Sequence, residues 1–284
     1  MRQINLPGTT LSVSRFSFGT ASLHHLGGPQ AQVRHLLAAR DAGFSHFDTA
    51  PLYGFGGAEL ALGAAFGGTQ AEQSGVSIAT KVGLYPPGGP EQGRAQVWCR
   101  KALGRAWPAV SRAESDWAVN LAKQSFEGSL ARLRRERVDL LLLHEPDITL
   151  VTEEPWIRWL EEEIARGRVG QFGVAGPAEK VAPFVAAGSP LAAFVQIQDS
   201  LTRHEANFLI DSVRPPQITY GYQSTPTPDK PDTQSRAELL AQVLARNSEG
   251  SILVSTRKPE RLAVFSAAAS QEAASRNQPR AAPC

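Results

Sequence analysis

Asp48, Tyr53, Lys81 and His144 are the residues whose types and positions suit acid–base chemistry. Asp48 and Tyr53 lie in Phe47-Asp48-Thr49-Ala50-Pro51-Leu52-Tyr53-Gly54, Lys81 closes Ile78-Ala79-Thr80-Lys81, and His144 follows Val138-Asp139-Leu140-Leu141-Leu142-Leu143. A phenol ordinarily titrates near ~10, so it donates a proton readily at neutral pH only where a nearby cation or donor stabilises its anion. Lys81 would lower the Tyr53 pKa, Asp48 would keep Lys81 charged, and a neutral His144 would orient a carbonyl and stabilise the developing oxyanion. Tyr53 is then the general acid, or the base in the oxidative direction. Taken singly, a strand-end Asp is a helix cap and a lone His is structural. Their joint occurrence in these contexts points to catalysis.

Such residues need a scaffold that gathers side chains from distant stretches of chain. Asp48, Lys81 and His144 each end a short apolar or β-branched run, where a parallel barrel strand presents side chains to the mouth. Tyr53 lies on the loop beyond Asp48, so that loop must fold back. Short strands alternate with amphipathic helices along the whole chain. A hairpin spans Ile4 to Val13 around Pro7-Gly8 and suits a plug at the barrel bottom. Strands are expected over 16–19, 46–48, 76–81, 138–144, 170–174, 194–196, 218–222 and 251–254. Helices are expected over 30–42, 59–66, 117–133, 153–166, 178–187, 204–213 and 235–246, with a last one from about Pro259. Eight βα units predict an α/β fold, a (β/α)8 TIM barrel with an N-terminal hairpin, as a single domain over 1–284. A doubly wound open sheet is the alternative, but no Gly-x-Gly-x-x-Gly turn follows the first strand. The Gly-, Pro- and Arg-rich segment Val82 to Glu114 is too long for an ordinary βα loop and is expected over the mouth as a lid. Thr225 to Thr233 reads as an exposed loop, and 266–284 as a frayed tail.

Composition narrows the function classes. With 29 basic and 27 acidic side chains the formal charge is +2, too balanced to suggest a nucleic-acid or membrane partner. The basic run Arg132, Arg134, Arg135 and Arg137 reads as a solvated helix end. Only Cys99 and Cys284 occur, so there is no disulfide framework or paired metal-ligand spacing, and a cytoplasmic setting is expected. No window approaches ~18 uninterrupted apolar residues, and the N-terminus lacks a basic segment followed by an apolar run.

The tetrad resembles the catalytic Asp, Tyr, Lys and His of the aldo-keto reductases, and the likeness extends beyond it. Leu6-Pro7-Gly8-Thr9-Thr10-Leu11-Ser12-Val13-Ser14 is similar to that family's opening hairpin, and Gly54 to Gly63, with Gly57, Glu59 and Gly63, to the start of the helix after its tyrosine. The resemblance implies a hydride-transferring oxidoreductase without metal. It implies nicotinamide carboxamide binding at Gly173-Val174-Ala175-Gly176 and Val195-Gln196. Gln196 carries over, but Ala175 stands where the family has a serine, a change for which a loss of ~1 kcal/mol is typical unless a water replaces the hydroxyl. Gly19 and Thr20, ending the first strand, join the cofactor set. Ile252-Leu253-Val254-Ser255-Thr256-Arg257-Lys258-Pro259-Glu260-Arg261-Leu262 resembles the cofactor-phosphate segment, with Ser255, Thr256, Arg257 and Arg261 as donors beside a helix N-terminus. This favours NADP(H), with NAD(H) as the alternative. Tyr220 is preferred to Tyr222 for stacking on the nicotinamide, although the seventh strand departs from the family's Tyr-Ser-Pro pattern.

The Asp48–Gly54 and Thr80–Gly83 stretches look most like the branch that contains aldose and sugar-lactone-forming dehydrogenases, so a sugar, small polyol or small aldehyde substrate is expected. Its walls would come from Leu23, His24, Trp98, Trp107 and Glu145, whose carboxylate directly after His144 would accept sugar hydroxyls. Two other readings compete. A catalytically silent nicotinamide-binding regulatory barrel would be expected to have lost one of the four polar residues. A metal-dependent hydrolase would want His and carboxylate clusters at several strand ends, whereas His24, His25, His35, His46 and His204 are scattered.

Overall fold

The near-continuous apolar run Val138–His144 forms a strand covered on both faces, as parallel sheets with helices outside and packed side chains inside require. In the computed structural model, which describes residues 1–70, 75–89, 113–212, 214–222 and 236–276, this strand is one of eight that close into a barrel. In chain order the elements are the hairpin strands β1 (Gln3–Asn5) and β2 (Ser12–Ser14), then β3 (Phe16–Gly19), α1 (Pro29–Asp41), β4 (His46–Asp48), α2 (Gly57–Phe66) and β5 (Ser77–Val82). A short antiparallel pair follows, β6 (Leu84–Tyr85) with β7 (Glu114–Ser115), and then α3 (Val119–Leu133), β8 (Val138–His144), α4 (Glu153–Ala165), β9 (Val169–Gly176) and α5 (Ala178–Ala186). The chain continues through β10 (Val195–Gln198), α6 (Asn207–Ile210), β11 (Ile218–Tyr220), α7 (Arg236–Arg246), β12 (Ser251–Val254) and α8 (Glu260–Arg276). Every pairing around the barrel is parallel, and β12 closes on β3. All eight C-terminal strand ends therefore face one mouth.

Alternation along the strands divides the core in two. Leu140 and Leu142 of β8 point into the barrel with Ala79, Ala175, Phe194 and Ile218, and the hairpin residues Ile4, Leu6 and Val13 pack into the same cluster. The hairpin is thus the plug its sequence suggested. Leu141 and Leu143 point outward into the shell shared with Phe126, Trp156 and Trp159 of the helices. At Gly173 the strands β9 and β10 approach so closely that a Cβ would lie 2.1 Å from the Phe194 carbonyl oxygen.

Four expectations change. The sixth helix is only Asn207–Ile210 rather than 204–213. His204 takes φ 54°, which breaks a right-handed helix at its intended start, and Pro215-Pro216 disfavours helix just before them. The last helix runs on to Arg276, past the point where fraying was expected, with Phe265 and Ala269 buried against the core. Within the predicted loop Val82 to Glu114, Leu84 and Tyr85 pair with Ser115 and Glu114; the lid itself, with Trp98 and Trp107, falls mostly outside the described residues, as does Thr225 to Thr233. The arginine run is not simply a solvated helix end: Arg132 pairs with the buried Glu59 at 2.7 Å, and Arg135 donates to the carbonyls of Phe66 and Val76 at 3.1 and 3.2 Å. Among the described residues, no helix is long and apolar enough to cross a membrane.

Candidate active site

Asp48 and Lys81 end or nearly end neighbouring strands, and parallel register puts Asp48 beside Ala79 and Lys81 beside Leu142. Tyr53 returns to them because the intervening loop is a chain of tight turns. Its N–H bonds the Ala50 carbonyl at 3.0 Å, the Gly56 N–H reaches Pro51 at 2.7 Å, and the Ala58 N–H reaches the Tyr53 carbonyl at 3.2 Å. Gly54, Phe55 and Gly56 take φ of 63°, 59° and 76°. Three consecutive left-handed residues reverse the chain, and glycine at two of them removes most of the steric cost.

The Lys81 ammonium sits 2.7 Å from each Asp48 carboxylate oxygen, 2.9 Å from the Thr49 carbonyl and 3.3 Å from the Tyr53 hydroxyl. Lys81 and Asp48 are each 1% exposed. A buried ion pair persists only where its remaining lone pairs are also satisfied. Here Gln196 donates to Asp48 Oδ2 at 3.0 Å. The Asp48 carbonyl accepts from the Thr20 hydroxyl and N–H at 2.9 and 3.0 Å. Behind Lys81, Thr80 donates to Glu59 at 2.6 Å, and Arg132 donates to the other Glu59 oxygen. Glu59, buried and anionic beside the strand, helps to keep Lys81 protonated.

His144 meets the Tyr53 ring edge-on, with centroids 5.8 Å apart and planes at 88°. Burial, and secondarily the Lys81 charge, holds the His144 pKa well below the usual histidine range, so the ring is neutral. Its Nδ1 is buried without a hydrogen-bond partner among the described residues. Burial likewise lowers Lys81, opposed by Asp48. Tyr53 corrects the expectation that Lys81 depresses its pKa. Burial first, then the charges of Asp48 and Glu145, raise it well above its ordinary value. The physical reason is that Asp48 grips the ammonium with both oxygens, so little net positive field reaches the phenol. The arrangement is a retained phenolic proton, a hydrogen-bonded ammonium and a neutral imidazole, a proton-donating site beside a group suited to orient an oxygen.

A cavity of about 260 Å³ opens from Asp48 and Tyr53 toward the β3, β11 and β12 ends, bordered by Gly19, Tyr220, Leu253 and Ser255. Tyr222 also borders it, but its hydroxyl donates to the buried Asp199 at 2.7 Å, and Asp199 is held in turn by Arg246 at 2.9 Å. Tyr220, which ends β11 and is half-buried, is the tyrosine nearer the tetrad's field: Glu145, Tyr53 and Asp48 all raise its pKa after burial does. Ala175 lies opposite His144 in the ladder, at the strand end predicted for it. The hydroxyls of the terminal segment turn inward: Ser255 donates to the Gly19 carbonyl at 2.7 Å, and Thr256 accepts from the Lys258 N–H at 3.1 Å while its carbonyl meets the His35 ring at 2.7 Å. Arg257 is exposed and Arg261 half-exposed, and neither is paired among the described residues. Of the expected walls, Leu23 is buried in the core, whereas His24 packs where a Gly54 Cβ would meet it at 3.1 Å. Among the described residues no His, Cys, Asp or Glu group of three could hold a metal ion.

Asp199 was missed by sequence reasoning, although its place directly after β10, in Gln198-Asp199-Ser200, is the same strand-end signal that identifies Asp48. The bond from Gln196 to Asp48 carries no sequence signal, because it joins residues on opposite sides of the barrel.

The family model for the Aldo/keto reductase family matches residues 15–214. A 6-dehydroglucose reductase of Novosphingobium aromaticivorans is 29% identical over 180 residues, 61% of this chain and 50% of that protein. An L-galactose dehydrogenase of Arabidopsis thaliana is 27% identical over 179 residues, 60% of this chain and 47% of that protein. The chain thus spans about half the length of the curated relatives it matches. In fold it is similar to a Klebsiella pneumoniae aldo-keto reductase solved with NADPH, at a TM-score of 0.65 and 20% identity over 100% of this chain and 98% of that one. From the family match, which covers the hairpin-proximal strand through the sixth βα unit, the chain belongs to the aldo/keto reductase family.

Proposed function

We propose that this chain is an NADP(H)-dependent oxidoreductase that interconverts a carbonyl and a primary or secondary alcohol on a sugar or other small molecule, in the cytoplasm. The observation that carries the reading is the contact of the Lys81 ammonium with both Asp48 and the Tyr53 hydroxyl, beside a neutral His144. Tyr53 holds the proton that a carbonyl oxygen needs, Lys81 positions the Tyr53 hydroxyl through its 3.3 Å hydrogen bond, and His144 orients that oxygen. When bound, a nicotinamide dinucleotide supplies or accepts the hydride.

The residues present fit such a group. Gln196 spends its amide N–H on Asp48 and leaves its Oε1 buried with no partner among the described residues, an acceptor for a carboxamide N–H. Tyr220 offers an aromatic face beside the cavity, and the unpaired Arg257 and Arg261 offer cations to phosphate. The sugar assignment rests on the names of the relatives, a 6-dehydroglucose reductase and an L-galactose dehydrogenase, and NADP(H) on the two arginines and the NADPH held by the Klebsiella protein.

The test is a panel: aldoses with NADP⁺, and aliphatic and aromatic aldehydes with NADPH, followed by nicotinamide absorbance. Sugar oxidation comparable to or above aldehyde reduction supports the full reading. Aldehyde turnover far above any sugar oxidation would defeat the sugar assignment and leave the oxidoreductase standing.

A further inference from the structure

Glu145 occupies a place that its surroundings do not explain structurally. It follows His144 directly and takes φ 53°, a left-handed backbone that disfavours any residue with a side chain. Its N–H holds that turn by bonding the Ala175 carbonyl at 2.6 Å, and the base of its side chain lies over Gly176, where a Cβ would meet Glu145 Cα at 3.2 Å and Cγ at 3.4 Å. The turn thus seats Glu145 against the ends of β8 and β9, at the mouth. Its carboxylate is exposed and makes no hydrogen bond or ion pair among the described residues. Lys180, the cation at the start of α5 on this side, is taken by Asp147 at 2.9 Å. The uncompensated charge nevertheless reaches the chemistry: Glu145 raises the pKa of both Tyr53 and Tyr220. A strained, unpaired carboxylate beside the reacting groups is the arrangement expected where a ligand completes the pairing.

We propose that Glu145 is a substrate-recognition residue whose carboxylate accepts hydrogen bonds from hydroxyl groups of a neutral polyhydroxylated carbonyl substrate and disfavours substrates bearing a carboxylate or phosphate. An ionised carboxylate is an acceptor only, so it pairs with hydroxyl donors and repels anions. The inference rests on the oxidoreductase reading and specifies the substrate class of the same site.

Glu145→Gln keeps the shape and removes the charge. Its kcat/KM should fall about 10- to 100-fold for an aldose, the loss typical of a charge-assisted hydrogen bond. Any change for an unsubstituted aliphatic aldehyde, which reports the charge removed from the field of Tyr53, should be several-fold smaller, and relative to that aldehyde kcat/KM should rise roughly 2- to 10-fold for an aldehyde carrying a carboxylate. Glu145→Gly, which suits the left-handed backbone, should show the same selectivity change with a melting temperature at or above that of the wild type. Equal losses for aldose and plain aldehyde in both variants, or no change for either, would overturn the proposal. Binding of an unreactive six-carbon alditol, followed by ligand-observed NMR, separates this inference from the activity it rests on. If the wild type turned over no carbonyl at all, the oxidoreductase reading would fail. Weaker alditol binding in Glu145→Gln would still support the role of Glu145, and unchanged binding would refute it.

Discussion

Tyr53 and Lys81 start from nearly equal proton affinities, ordinary values of 10.0 and 10.5, and burial drives them apart, raising the phenol and lowering the ammonium. Desolvation penalises the charged form of each, which is the anion for tyrosine and the cation for lysine. The first group of the pair to lose a proton in alkali is therefore Lys81. In the reductive direction, the alkaline limb of the kcat/KM profile should fall below pH 10.5 and report Lys81. Because Asp48 raises the Lys81 pKa, Asp48→Asn should move that limb to lower pH; a shift to higher pH would contradict the assignment. Arg261 is the proposed discriminator between the two cofactors, because only NADPH carries the charge of a 2′-phosphate. Arg261→Ala should weaken NADPH by about 1.5–3 kcal/mol and leave NADH little changed, as measured by titration of each dinucleotide. The four candidate residues that the fold brings together, Asp48, Tyr53, Lys81 and His144, were legible in the sequence because each ends a readable strand or follows one. The direction of the Tyr53 shift was not, since it depends on both Asp48 oxygens facing the ammonium.

Strand ends carry the site, so strand spacing limits its precision. The runs 16–19, 46–48, 138–144 and 251–254 were legible to the residue, because a strand buried on both faces must be apolar along its length. Helix α6 was not legible, since apolar spacing cannot show that His204 adopts a left-handed backbone. At the element scale the critical spacing is that of β9 and β10, which carry Ala175 and Gln196 side by side. Gly173→Ala would place a methyl group 2.1 Å from the Phe194 carbonyl and 2.6 Å from its Cβ. The strands must then separate, at a cost of about 1–3 kcal/mol or more, with Gln196 drawn away from Asp48. Urea denaturation should show a lowered midpoint, together with a drop in kcat; an unchanged midpoint would mean that the barrel accommodates the methyl group.

For the whole molecule, eight βα units were enough to predict closure, and the plugging hairpin followed from its turn and apolar positions. The networks that brace the barrel were not legible, because they join side chains far apart in sequence, such as Arg132 to Glu59 and Arg246 to Asp199. Buried histidines tie global stability to pH. His46, at the start of β4, is lowered from 6.5 to about 3 by burial and then by Lys81, and His144 is lowered for the same reasons. Both are neutral when folded but take up a proton when unfolded below pH 6.5, so unfolding free energy should decline as pH falls below about 6.5, for His46 down to about 3, by up to ~1.4 kcal/mol per pH unit for each group that titrates. His46→Asn should flatten this decline in urea melts across that range; an unchanged slope would remove His46 from the account. The central claim, that a barrel mouth built from these strand ends transfers a proton through Tyr53, is tested most directly by Tyr53→Phe, which removes one hydroxyl and leaves the loop turns intact. Carbonyl-dependent NADPH oxidation should fall at least ~100-fold while NADPH binding, followed by protein fluorescence, stays within a few-fold of wild type. Turnover close to wild type in that variant would contradict the account.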